Sequence, residues 1–271
     1  MNKEFTVSIL GCGWYGLSLA KSLAGKGICV KGSTTSPEKL AGLKAEGINP
    51  YLVNITADTA YYDPAFFDCD ILWIAIPPKR KAGEAGDYAK KMARIISAVK
   101  QHGIKQVIHI SSTGVYGDHN QHVNELTPPD PITESGKALL NVEKLLLGQT
   151  TFTATIIRFG GLMGPGRNPG RFFAGKHGIP NGKAPVNMIH LDDCIGISNA
   201  ILDKQAFGYT FNACAPFHPE KADFYTKASM ASGLEKPQFI DELLEWKVVD
   251  SIYVDEVLGY SFKTDNYPVE N

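Results

Sequence analysis

The chain has 271 residues, 44% of them hydrophobic, 20% charged and 10% aromatic, enough apolar material for one large core and unlike a disordered or fibrous composition. Lys and Arg number 27 against 28 Asp and Glu, a formal charge of -1. This excludes a broad footprint for nucleic acid or an anionic membrane and leaves any anionic ligand to local groups.

Short β-rich apolar runs alternate with longer helical patterns, which predicts an α/β fold: a Rossmann-type doubly wound parallel sheet with a small C-terminal substrate lobe. Strands are expected over 5–10, 28–33, 51–53, 70–76, 106–111 and 153–158, and helices over 14–25, 37–46, 84–101 and 133–147. Pro37, with Ser36 before it as a candidate cap, marks the second helix start. The connections fit right-handed βαβ units. Two stretches, 113–132 and the Gly/Pro/Arg-rich run that begins at Gly160, carry no periodic element. Both follow strand ends, where open α/β sheets place their ligands. Residues 1–160 therefore read as a dinucleotide-binding domain. Residues 161–271 read as a mixed segment that returns to the sheet over 187–215 and builds the lobe.

No apolar run approaches the ~20 residues of a membrane span. The opening MNKEFTVSILGCGWYG is broken by Gly11, Gly13 and Trp14 and lacks a small-residue cleavage site, so no signal peptide is expected. Cys12, Cys29, Cys69, Cys194 and Cys214 are scattered and form no CxxC pair, which reads as reduced, buried thiols in a cytoplasmic protein. His119 and His122 have no third ligand nearby, and no metal is expected.

The segment TVSILGCGWYGLSLAKSLAGKG is strand, GxGxxG, helix. Gly11 permits the tight turn, Gly13 lets the backbone approach a pyrophosphate, and Gly16 lets the helix pack on the strand. Trp14 and Tyr15 complete the loop, whose helix N-terminus offers free amides to a phosphate. The second strand runs into VKGSTTSPEKL, with no carboxylate between Ile28 and Pro37 to take a ribose hydroxyl. That absence favours NADP over NAD. Ser33, Thr34, Thr35 and Ser36 offer hydroxyls to a 2'-phosphate and Lys39 a charge, although the bidentate Arg of a firmer site is missing. Ser36 reads equally as a plain helix cap, and Asn54 either as a contact to the adenine edge or as a turn residue.

The IHISSTGVYGD stretch places Tyr116 four residues past Ser112 at the end of a buried strand. With the glycine loop, a strand ending IAIPP at Pro77, RFGGLMGPGR, NMIHLDDC and GYTFNA in order, the chain resembles the extended, atypical short-chain dehydrogenases/reductases, the family of nucleotide-sugar epimerases and dehydratases. The resemblance covers most of the chain. It implies that Pro77 borders the cofactor, that Ser112 hydrogen-bonds the reacting hydroxyl or carbonyl, and that a YxxxK pair supplies the acid/base. The segment SGKALLNVE departs from that pattern: anchored on Gly136 and Glu143, Ser135 stands in the Tyr position and Leu139 in the Lys position. A second register pairs Thr133 with Lys137 and loses the phenol. A Ser or Thr hydroxyl is far too weak an acid to substitute. Tyr116 is then the leading replacement acid and Lys137 the next.

Arg167 and Arg171 could hold the phosphates of a nucleotide-sugar or another anionic substrate. Met163, Phe172 and Phe173 read as lobe packing, and His190 with Asp192 and Asp193 as the cap and first-turn acids of a helix. The expectation is an NAD(P)-dependent oxidoreductase or epimerase-like enzyme on a small-molecule substrate. The alternative is a noncatalytic NAD(P)-binding sensor. A dehydrogenase of unrelated type is disfavoured by SSTGVYG. The family's two-helix interface would allow a homodimer.

Overall fold

The computed structural model describes residues 5–78 and 85–263. Its central sheet has seven strands: β1 (Thr6–Leu10), β2 (Cys29–Thr34), β3 (Asn49–Leu52), β4 (Ile71–Ile74), β5 (Gln106–Ser112), β6 (Thr153–Phe159) and β7 (Thr210–Ala213). They lie in the order β3-β2-β1-β4-β5-β6-β7, all parallel. The order reverses between β1 and β4, the doubly wound arrangement.

Helices cover both faces, so the strands are apolar on both sides. α1 (Trp14–Gly25) and α5 (Leu191–Asp203) pack on Ile9, Trp73, Ile157 and Phe211. The opposite face, carrying Leu72, Ile74 and Ile156, is covered by α3 (Ala85–Gln101) and α4 (Glu134–Leu147). The first six strands begin and end within two residues of the expected ranges. In α3, Tyr88, Met92, Ile95, Ile96 and Val99 form the buried stripe, the spacing of an amphipathic helix. The expected start of this helix at Glu84 lies outside the described residues.

Other elements differ from the sequence reading. The expected 37–46 helix is a 3-10 turn, Pro37–Lys39, running into a short α2 (Leu40–Ala45). Ser36 makes no side-chain cap there; its N-H instead donates to Thr34 Oγ1 at 3.1 Å. The 113–132 stretch is not without structure: it holds a 3-10 turn (Thr113–Val115) and a short strand, Gln121–Val123, paired in parallel with Lys247–Val249. Three-residue strands are too short to show alternation in a sequence. The tail supplies α6 (Lys221–Ala231) and α7 (Ile252–Glu256). The cysteines are free, with Cys194 and Cys214 buried, but Cys29 at the start of β2 is exposed rather than buried. Among the described residues no helix is long and apolar enough to cross a membrane.

Candidate functional site

A cleft of about 230 Å³ opens at the carboxyl ends of β1 and β4, where the strand order reverses. Its floor is the glycine loop, and each glycine there has its own physical reason. Gly11 has φ +105°, and a Cβ on it would stand 2.7 Å from Ile76 Cγ2, so only glycine fits. A Cβ on Gly16 would overlap the Gly11 carbonyl oxygen, which sets the close crossing of α1 over β1. Gly13 is different. It is extended (φ -81°, ψ -157°), exposed, lines the cleft, and a Cβ on it would meet no protein atom within 4 Å. Nothing within the fold demands glycine there, whereas a diphosphate laid on the loop would.

The loop is stitched to β2: Gly11 N-H donates to Ser33 Oγ at 2.8 Å and Cys12 N-H to Ser33 O at 3.0 Å. Ser33 is therefore buried and engaged in holding the loop. Thr34, Thr35, Ser36 and Lys39 line the same cleft with Val53, Ile55 and, from α3, Lys91. Among the described residues no carboxylate lines it. Burial pushes the Cys12 thiol up to about 12, so it stays neutral. Lys91 was not anticipated, yet the helix phase points to it: it lies three residues after Tyr88 and four before Ile95, beside the buried stripe.

Other expected cofactor neighbours sit elsewhere. The Tyr15 side chain is buried, its hydroxyl 2.7 Å from Ser198 Oγ between α1 and α5. Only its backbone can serve the loop. Asn54 is exposed in a two-residue strand opposite Tyr61; alternation gives the cleft its neighbours Val53 and Ile55 instead. Pro77 is exposed, and Ile76 before it provides the wall. Trp14 turns toward the 164–167 turn, its Nε1-H donating to Pro165 O at 2.6 Å.

At the end of β5, Ser112 Oγ accepts the Gly114 N-H at 3.1 Å, which leaves its own proton free to donate. A Cβ on Gly136 would overlap the Gly114 carbonyl oxygen. This close contact sets α4 against the Ser112 loop. Thr133 is the α4 cap, accepting the Gly136 N-H at 3.1 Å. Lys137 is exposed and paired with Glu134 at 2.9 Å, a surface pair rather than a cation held against a phenol.

Tyr116 is a correction to the sequence reading. It is 2% exposed, and its hydroxyl accepts from Arg158 Nη1 (2.6 Å) and faces two acceptors, Asn124 O (2.9 Å) and Asn212 Oδ1 (3.1 Å). Burial pushes its phenol up from the usual tyrosine range, with the Arg158 guanidinium opposing. An acid near neutral pH needs the reverse. Arg158 in turn binds Glu143 at 2.6 Å through Nη2, and Ser111 Oγ donates to Glu143 Oε1 at 2.5 Å. Tyr116→Phe should cost about 1–3 kcal/mol of stability by leaving these partners short of a bond, with cofactor affinity unchanged. Thermal unfolding and a ligand titration on the same variant check this.

In the segment after β6, Arg171 is exposed at the end of a 3-10 turn (Pro169–Arg171), whose Gly170 O accepts from Ser229 Oγ of α6 at 2.8 Å. Met163 packs with Val186, Met188 and Phe224, and Phe173 with Tyr225 and Phe239. Phe172 is 53% exposed beside them. His190 caps α5, its Nδ1 accepting the Asp192 N-H at 3.2 Å. Asp193 does more than face the helix dipole: it is buried, and its Oδ1 accepts from Tyr260 Oη and Lys263 N, both at 2.8 Å.

Residues 11–188 match the NAD(P)H-binding family model. The chain is 36% identical over 263 residues to Protein YeeZ of Escherichia coli (strain K12), covering 95% of each. Among solved structures it is similar to a functionally unknown conserved protein from Silicibacter pomeroyi DSS, with TM-score 0.79, 23% identity and 97% and 95% of the two chains covered. It is also similar to UDP-glucuronic acid 4-epimerase from Bacillus cereus in complex with NAD, with TM-score 0.78, 18% identity and 97% and 93% covered. The chain belongs to the NAD(P)H-binding family, on the fold of the epimerase-like short-chain dehydrogenases/reductases.

Proposed function

We propose that the chain is an NADP(H)-dependent oxidoreductase or epimerase/dehydratase-like enzyme acting on a small hydroxyl or carbonyl substrate of the nucleotide-sugar class. The cleft beside Gly13 carries this reading, because its rim carries the hydroxyls of Thr34, Thr35 and Ser36 and the amine of Lys39, with no carboxylate among the described lining residues. Such a lining suits a ribose 2'-phosphate and leaves a bare 2'-hydroxyl without its usual acceptor. When bound, the nicotinamide supplies hydride transfer. Ser112, its Oγ already accepting from Gly114, donates to the substrate oxygen and orients it. Arg171 on the lobe turn receives the substrate's phosphates.

A second reading, a noncatalytic NADP(H) sensor, is favoured by one observation: Tyr116 and Lys137 are engaged elsewhere, which on the family pattern that sets Ser135 and Leu139 in the Tyr and Lys positions leaves no phenol and ammonium pair. Calorimetric titration with NADPH and NADH tests the cofactor assignment. NADPH should bind about tenfold tighter or better, and Lys39→Glu should erase that margin while leaving NADH affinity as it was. Equal affinities, or a margin insensitive to Lys39→Glu, refute it. Turnover on a panel of nucleotide-sugars supports the enzyme. Tight NADPH binding with no oxidation, reduction or epimerisation of that panel supports the sensor.

A further inference from the structure

Residues 164–167, Gly-Pro-Gly-Arg, form a tight turn closed by Arg167 N-H to Gly164 O (2.8 Å) and Gly164 N-H to Arg167 O (3.3 Å). Gly166 has φ +74°, and Pro at the first and Gly at the second central position are the signature of a type II turn. The turn is wedged among three elements: a Cβ on Gly164 would come within 3.1 Å of Leu191 Cβ, 3.2 Å of His190 Nε2 and 3.4 Å of Trp14 Cζ2. The Trp14 indole holds it through the Nε1-H bond to Pro165 O at 2.6 Å. Arg167 consequently lies over that same indole, Cζ 4.9 Å from the ring centroid.

Trp14 is the first residue of α1 and follows Gly13, whose open backbone faces the cleft. A guanidinium stacked on an aromatic ring spends its face and keeps its N-H edges for an acceptor. Among the described residues Arg167 forms no ion pair that would occupy those edges. We infer that Arg167 is a cofactor-binding residue: lying over the Trp14 indole, it reaches from the loop after β6 to the diphosphate lying on the α1 N-terminus. This moves it from the substrate side, where its place in the sequence put it, and ties the substrate-side loop to the occupied cofactor. The assignment rests on the dinucleotide reading given above.

The test compares wild type, Arg167→Ala and Arg167→Lys in calorimetric titrations with NADPH, with ADP-ribose, and with adenosine 2'-monophosphate, which lacks the diphosphate. Arg167→Ala should weaken NADPH and ADP-ribose by about tenfold or more, the size of one charge-assisted bidentate contact. Adenosine 2'-monophosphate should stay within about twofold of wild type, and Arg167→Lys should fall between because an ammonium neither stacks nor forks. Wild-type dinucleotide affinity in Arg167→Ala, or equal weakening of all three ligands, overturns the assignment alone. No dinucleotide binding by the wild type overturns the cofactor reading itself and this assignment with it.

Discussion

Gly13→Val should abolish NADPH binding while the protein stays folded, and the glycine loop gives the reason within three residues. The added Cβ meets no described protein atom within 4 Å, and the extended backbone of Gly13 is open to any residue. The fold therefore loses only a helix-cap preference of about 1 kcal/mol. For a chain of this size that moves Tm by roughly 2–4 °C. The methyls would occupy the space a diphosphate needs to reach the α1 amides, so affinity should fall by a factor of about 100 or more, the cost of displacing several charge-assisted bonds together. Gly16→Val is the contrast, since its Cβ would overlap the Gly11 carbonyl oxygen and the variant should fail to fold. Thermal unfolding and NADPH titration on the two proteins check both halves. Retained affinity in Gly13→Val would show that no diphosphate rests on this loop.

The glycine loop was legible in the sequence because its three glycines fall within six residues and two of its reasons are local, the positive φ of Gly11 and the approach of Gly16 to the Gly11 carbonyl. The central strands were legible because each is a short apolar run covered on both faces. What escaped depends on contacts between distant parts of the chain. Val53 and Ile55, not Asn54, line the cleft because a two-residue strand turns the Asn outward. Tyr116 looked free to act because it sits in a loop. Its hydroxyl is consumed by Arg158, 42 residues away, and by Asn212, 96 away. Nothing in the sequence brings Arg167 over the indole of Trp14, 153 positions earlier.

Arg158→Met should be the most destabilising of the substitutions that leave the backbone undisturbed. Arg158 and Glu143 have side chains only 6% and 1% exposed, and they meet at 2.6 Å. Burial alone would weaken the guanidinium's hold on its proton, and the Glu143 carboxylate more than offsets that. Removing the guanidinium strands a buried carboxylate with Ser111 as its remaining side-chain donor, a situation that costs about 3–5 kcal/mol. The network also joins α4 to β5, β6 and β7, through Ser111, Arg158, Tyr116 and Asn212, whose Nδ2 donates to Asp250 O at 3.1 Å. The loss is therefore felt across the sheet edge, and Tm should drop by roughly 10 °C or more. The double variant Glu143→Leu, Arg158→Met, which removes both charges, should recover much of that loss, because the penalty lies in the unpaired ion rather than in the missing pair. NADPH affinity of the folded fraction should stay within about threefold of wild type, since the network lies on β5, β6 and β7 and the cofactor cleft on β1, β2 and β4. A single variant with wild-type Tm, or a double variant no more stable than the single, would show that this ion pair does not hold the edge together.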